Sequence, residues 1–424
     1  MKKVELSSEQ RKVVYANDDK IIVCAGAGSG KTRVLTERVK RILNETKNGN
    51  SIVVITFTNE AADELKERLE GVPHSDECFI GTIHAFANKI LRHSGKEFDI
   101  FSEYYQTNFM QILIPKYAKI CNLQDYMLYV KYDRLVAAGK MSKNEVYRKF
   151  PSVAVYDEIQ YLLGEKYNYR YPETVKTLCK ANNIITFDEL IEESTKYFKE
   201  NNLSLRYLFV DEFQDIGYLE YNFFMALNAE NMFVVGDTFQ NIFSFKGGDV
   251  HIFMSLVNNP EWTTYKLIEN YRTCKSVLIY ANSIIHKASD IIDQDVKSMR
   301  DEYGNLEFIA KSMIDDFISK FNKGEKLFIL VRTNKDLNKI AAILTEHGIK
   351  YNAIRRTDGT QKQSRKNQMK HNISIMTVHT SKGLECDNVA IYGKFPVNGK
   401  GDSDEIKVYY VALTRTISRC TVFV

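Results

Sequence analysis

Short runs of β-branched and large apolar residues recur along the chain, and the spacing of apolar positions after each run sets the fold. "KIIVCAG" (Lys20–Gly26) and "SIVVITFT" (Ser51–Thr58) both lead into stretches with helically spaced apolar positions. Alternation of this kind predicts parallel strands joined by crossover helices over residues 20–92. The strand pattern lapses over 93–204, where long helical periodicities replace it. It returns from 205 with "YLFVDEF" and "NMFVVGD". Beyond these, "KLFILVRT", "IKYNAI", "NISIMTVH", "NVAIYG" and "CTVFV" predict a second sheet of the same kind. The helix of "NKDLNKIAAILTEHG" lies between the first two of these, with Gly348 as its C-cap. The expected class is α/β, with two parallel-sheet domains and a mainly helical insertion. The expected domains are 1–92 with 205–260, then 93–204, then 261–424.

Length and composition narrow the class further. A chain of 424 residues, 44% of them hydrophobic, can bury several cores. The net charge of +4 does not by itself announce a nucleic-acid binder. The seven cysteines show no CxxC pair, which argues against a disulfide framework or zinc ribbon and points to a reducing cytoplasm. The N-terminus "MKKVELSSEQRKVV" has lysines with no apolar stretch behind them, so it is not a signal peptide. No apolar run approaches the length of a membrane span, so no membrane partner is expected. Thirteen of the 25 tyrosines fall within 93–204. They pack helices on one reading and contact duplex on the other. The segment 355–371, "RRTDGTQKQSRKNQMKH", holds six Lys/Arg against one Asp and reads as a surface loop.

Chemistry enters with "AGAGSGKT", Ala25–Thr32. Ala25 stands where a Walker A pattern has its first glycine, Gly26, Ala27, Gly28 and Ser29 form the loop, and Gly30-Lys31-Thr32 close it. The motif comes after a strand and opens a helix, the context it needs for backbone N–H groups to cradle phosphates. Lys31 is expected at the β- and γ-phosphates of ATP, and the Thr32 hydroxyl at Mg²⁺. Such a site needs a second strand ending in an acid. "RYLFVDEFQD" (Arg206–Asp215) supplies one, with Asp211 as the Mg²⁺ partner and Glu212 as general base toward water. A solvated acidic turn is the alternative for these two.

Taken in order, the motifs resemble the superfamily 1A helicases of the UvrD/Rep/PcrA type. "LSSEQRKVV" resembles that family's Q motif, "AGAGSGKTRVL" its motif I and "ITFTNEAADELKERL" its motif Ia, with "GTIHAFANKIL" after it. "DEFQD" resembles motif II, "VVGDTFQNIFSFKGGD" motif III, "LIENYRT" motif IV, "MTVHTSKGLECDNV" motif V and "VYYVALTRT" motif VI. The resemblance implies two RecA-like P-loop NTPase domains with ATP between them. It implies that Gln10 reads the adenine edge and that Arg33 and Tyr271 sandwich the base. It makes Arg272 and Arg415 arginine fingers and Gln240 a γ-phosphate sensor. Gln214 would link hydrolysis to the DNA track, and Glu385, after Gly383, would meet the ribose or triphosphate. Asp215 is left between a helix cap and a partner of motif III.

The same resemblance implies a single-strand site, where stacking is worth roughly 1–3 kcal/mol per base. Its candidates are Phe57, His84, Phe243, Phe245 and His379 for stacking, with Thr58, Asn59, Lys246 and Lys382 for phosphates or neighbouring bases. Phe243 and Phe245 also read as core packing. Lys246 and Gly248 stand where the family commonly has arginine and alanine. The family's accessory domain 2B is replaced by the linker 355–371, while 93–204 stands in for domain 1B. No nuclease is expected to be fused after "ISRCTVFV". The expected function is an ATP-dependent 3′→5′ translocase or helicase on single-stranded DNA or a single/double-strand junction, weak in unwinding alone. The rival is a nucleotide-switched scaffold subunit serving a separate nuclease or other effector in repair or antiviral defence.

Overall fold

The computed structural model describes residues 5–100, 141–149, 183–244, 247–355 and 369–424. Among these, residues within 5–86 and 198–424 form one compact unit and those within 87–197 a second. The larger unit contains two parallel six-stranded sheets.

The first sheet begins with β1 (Lys20–Ala25), β2 (Ile52–Thr56) and β3 (Phe79–Thr82). In the smaller unit, β4 (Asp99–Ile100) pairs with β5 (Ile184–Ile185). The first sheet is completed by β6 (Tyr207–Val210), β7 (Asn231–Gly236) and β8 (Thr263–Leu267), in the order β3-β2-β6-β7-β1-β8. β1 is central, pairing Val23 with Val235 on one side and with Tyr265 on the other. Residues 21–25 are all buried, which is why their sequence is an unbroken apolar run. The strand β8 lies beyond the expected boundary at 260 yet pairs in the first sheet. It lies on the sheet edge with most of its residues half-buried, so "TTYKL" lacks the apolar run that flags a central strand.

Two short strands, β9 (Glu269–Asn270) and β10 (Lys297–Ser298), pair just beyond it. The second sheet comprises β11 (Asn305–Ile309), β12 (Leu327–Val331), β13 (Tyr351–Ile354), β14 (Ile373–Thr377), β15 (Cys386–Tyr392) and β16 (Thr416–Phe423). Their order is β11-β16-β15-β12-β14-β13. The unexpected member is β11, again an edge strand and largely exposed. Gly348, at φ +62°, ends the helix Asn334–Glu346 as its sequence suggested.

Each sheet is packed by helices whose apolar faces repeat at helical spacing. In Lys31–Thr46 the buried positions Val34, Leu35, Val39, Ile42 and Leu43 cover β1 and β7. In Ser403–Leu413 every residue from Ile406 to Leu413 is buried, so this helix is enclosed on all sides. Phe239 and Ala27 of the first half share one apolar cluster with Tyr410 and Met376 of the second. The two sheets therefore meet through a common core. Residues 356–368, most of the basic linker, and most of the tyrosine-rich insertion lie outside the described residues.

Candidate active site

The glycine loop turns out of β1 and ends at Gly30, which caps the helix Lys31–Thr46. Two of its glycines have positive φ, Gly28 at +66° and Gly30 at +83°. A Cβ on Gly28 would stand 2.8 Å from Arg272 Cβ, and one on Gly30 2.9 Å from Gln10 Nε2. Only a bare backbone passes here. The loop is held by the segment after β8: Asn270 Nδ2 donates to Ala27 O at 2.6 Å, and Tyr271 N donates to Gly28 O at 3.0 Å. Asn270 Oδ1 also accepts from the amides of Arg272 and Thr273, at 2.9 and 2.7 Å. This buried asparagine stands in the quoted "ENYRT" but has no role in the sequence reading.

Gln10 is buried, and both ends of its amide are engaged. Its Nε2 donates to Ser29 O at 3.0 Å, while its Oε1 accepts from Ser7 N at 3.2 Å in a capping box. It braces the loop in this state rather than presenting a free edge to a base. Arg33 and the half-exposed Tyr271 lie within electrostatic reach of one another, and the Tyr271 hydroxyl donates to Glu269 at 2.8 Å.

Asp211 comes directly after β6, its amide donating to Ile55 O at 2.9 Å. Glu212 next to it adopts a left-handed conformation, φ +53°, which turns its amide onto Asp211 Oδ1 at 2.9 Å. A non-glycine residue held there costs of order 1 kcal/mol or more, a strain that clusters at functional positions. Burial first, and then the charge of Glu212, pushes Asp211 up to about 7. Burial would raise Glu212 too, but Lys382 and Lys31 outweigh it and hold Glu212 at about 2. Gln214 bridges the cluster. Its Nε2 donates to Glu212 at 2.7 Å and to Asp215 at 3.1 Å, and its Oε1 accepts from Asp237 N at 2.8 Å. Asp237 ends the quoted "VVGD", but sequence reasoning gave it no part. It is fully buried, 3.7 Å from Lys31 Nζ and 2.5 Å from Gln240 Nε2.

Both expected arginine fingers come from beyond the first sheet. Arg415 is fully buried: its Nη2 donates to Gln240 Oε1 at 2.9 Å and its Nε to Val411 O at 3.0 Å. Burial and the neighbouring charge of Arg272 push it down to about 9. Arg272 pairs with Glu385. Glu385, expected at the ribose or triphosphate, thus serves here as counter-ion to an arginine. Gly383, at φ +86°, has open space where a Cβ would lie.

Among the strand-site candidates, Phe57 stacks on Phe243 with ring centroids 5.5 Å apart, and Phe243 lies 6.0 Å from His379. Phe243 is buried, so its two readings meet in one residue: it packs, and it packs against the other candidates. Thr58 caps the helix Asn59–Leu69, its Oγ1 accepting from Ala61 N at 3.2 Å, and Asn59 opens that helix exposed. His84 lies half-buried in the helix Ile83–His93. Phe245 and Lys246 lie outside the described residues. Lys382, expected at DNA phosphates or bases, is only 9% exposed here and paired with Asp215. Its ammonium joins Lys31 in balancing the acid cluster, and those carboxylates keep it charged against its burial. Asp215 pairs with Lys382, and its other oxygen accepts from Asn241 Nδ2 of the "VVGDTFQNIFSFKGGD" stretch at 3.4 Å.

The cradle fits a polyphosphate. Three glycines leave no room for a side chain, and Ser29 Oγ is buried with no hydrogen-bond partner. Orphaned donors and backbone amides at a helix N-terminus suit phosphate oxygens. A glycine cradle after β1, an acid pair after β6 two strands away in the same sheet and an arginine from the second half define a two-sheet P-loop NTPase.

Sequence comparison refines this class. The profile of the UvrD/REP helicase N-terminal domain matches residues 6–261, and that of the UvrD-like helicase C-terminal domain matches 354–423. The chain belongs to the UvrD/Rep helicase family. A probable DNA helicase of Mycoplasma pneumoniae is 28% identical, covering 97% of this chain and 81% of its own length. The ATP-dependent DNA helicase PcrA of Bacillus subtilis is 29% identical over 82% of this chain and 50% of its own. Rep of Buchnera aphidicola is 27% identical over 77% of this chain and 48% of its own. The chain thus spans about half the length of these PcrA and Rep relatives. Among the described residues no helix is long and apolar enough to cross a membrane.

Proposed function

We propose that the protein is a cytoplasmic ATP-hydrolysing DNA motor that steps 3′→5′ along a single strand or from a single/double-strand junction. The observation that carries this reading is Arg415, donated by the second half and bonded to Gln240 of the first beside the P-loop. ATP bound there is contacted by both halves, so binding draws them together and hydrolysis releases them. Family membership and the printed functions of the relatives support it.

The residues divide the chemistry. Loop amides between Ala27 and Thr32 and the Lys31 ammonium bind the phosphates, with Arg33 and Tyr271 flanking the base. Thr32 and Asp211 offer hard oxygen donors that fit Mg²⁺, which would neutralise phosphate charge when bound. Glu212, ionised and held in its left-handed turn beside Asp211, accepts the proton of the attacking water. Arg415 and Arg272 stabilise charge developing on the γ-phosphate, and release of Arg272 from Glu385 precedes that contact. Phe57, Phe243 and His379 receive strand bases. Unwinding by the isolated chain is weak.

The test is ATP turnover with and without single-stranded oligonucleotide, and then a translocation assay on strands labelled at either end. Stimulated turnover with 3′→5′ stepping is expected. Unstimulated turnover, or stepping 5′→3′, overturns the reading. Glu212→Gln should retain ATP binding and lose turnover.

A further inference from the structure

Lys382 comes just after the short helix Val378–Ser381 of the second half, yet its side chain ends among acids of the first. Its Nζ pairs with Asp215 Oδ2, donates to Gln240 O at 2.9 Å and lies 3.5 Å from Glu212 Oε2. The same ammonium sits 5.1 Å from the centroid of the Phe243 ring. That ring is the one stacked on Phe57 at 5.5 Å. One side chain therefore touches both the proposed base and the aromatic set proposed to receive the strand.

Glu212 Oε2 is held from two directions, by Lys382 and by Gln214 Nε2 at 2.7 Å. Rings 5.5 Å apart, inclined by 17°, leave no room for a base between them. A base entering between them must therefore displace one ring. Displacing Phe243 moves the aromatic face on which the Lys382 ammonium rests.

We infer that Lys382 is a positioning residue that restrains Glu212 while the strand site is empty and releases it when a base displaces Phe243. The inference rests on the proposed strand site and specifies how that site reaches the ATP site. Lys382 acts through Glu212 and touches no reacting atom. Its contacts set the gap between idle and stimulated turnover.

The experiment compares wild type, Asp215→Asn, Lys382→Arg and the double variant Lys382→Met/Asp215→Asn. ATP turnover is read with and without an oligothymidylate strand, and each protein is checked by thermal melting. The double variant removes both members of the buried pair, avoiding the unpaired acid that Lys382→Met alone would leave. Loss of one charge-assisted contact to Glu212 is worth about tenfold. The double variant should therefore turn over ATP roughly tenfold faster than Asp215→Asn without the strand, and gain little when it is added. Lys382→Arg should keep most of the stimulation. The inference is overturned if strand-free turnover in the double variant is unchanged or falls, or if its stimulation ratio matches that of Asp215→Asn. A wild type that no strand stimulates sinks the proposed function itself, and this inference with it.

Discussion

Arg415 and Gln240, 175 positions apart in the chain, share a 2.9 Å hydrogen bond from Nη2 to Oε1 that joins the two α/β halves. The bond fixes the guanidinium while leaving it in a shell of mixed charge, with Arg272, Glu212 and Glu385 as its electrostatic neighbours. A cation pre-placed this way needs little reorganisation as charge builds on a phosphate.

Arg415→Ala should consequently lower kcat by about 10³-fold or more, the range found for arginine fingers, with a smaller change in ATP affinity. Arg415→Lys should recover only part of the loss, because lysine lacks the planar fork that reaches Gln240 and Val411 O together. Single-turnover kinetics separate the two effects. A loss confined to ATP binding would count against the finger role.

Gly28 is a second point where geometry forces an outcome. Its φ is +66°, and its missing Cβ faces Arg272 Cβ at 2.8 Å and Asn270 Nδ2 at 3.0 Å. Gly28→Ala should cost about 1–2 kcal/mol through backbone conformation alone. It should also shift the segment 270–272 away from the loop. Thermal melting should register the first effect, and a raised KM for ATP the second. Unchanged values for both would mean that the loop opens freely at this position.

The acid pair makes a pH prediction. Asp211 is raised to about 7 from a reference of 3.8, chiefly by burial and then by Glu212. A carboxyl whose folded value is raised contributes stability below its unfolded value and loses it as pH climbs through the folded one. In a chelator, the stability of the nucleotide-free protein should therefore gain a downward component between about pH 4 and 7. Asp211→Asn should remove that component. Mg²⁺ must displace the same proton, so its affinity should strengthen as pH rises through about 7, to be read by calorimetry.

Much of this site was legible in the sequence, because its parts sit in compact signals. "GSGKT" after an apolar run implied a loop, a helix and a phosphate, and "FVDE" implied a buried strand ending in acids. Lys31, Asp211, Glu212, Gln240 and Arg415 do converge. Edge strands were not legible. β8 pairs with β1 across some 240 positions, and its half-exposed "TTYKL" offers no local periodicity to announce that pairing. The destinations of Lys382 and Glu385 were hidden for a related reason. A long charged side chain is directed by the acids and bases that tertiary contact brings to it, and these came from Asp215 and Arg272, far away in the chain. Asn270 and Asp237 stood inside quoted motifs, but their work is to hold backbone and neighbouring side chains, which a motif spelling does not reveal.

The aromatic set gives the last prediction. Phe57 is half-buried just after β2, and one face of its ring stacks on Phe243. Phe57→Ala removes the outer ring of the stack while leaving Phe243 anchored in the core cluster with Met376 and Val378. Stacking on an aromatic is worth about 1–3 kcal/mol per base, so affinity for oligothymidylate should fall roughly 5- to 150-fold. The loss should be insensitive to salt, since no phosphate contact is removed. Titrations by fluorescence anisotropy at two salt concentrations would measure both quantities. A loss that grew with salt, or no loss at all, would place the strand elsewhere on the protein.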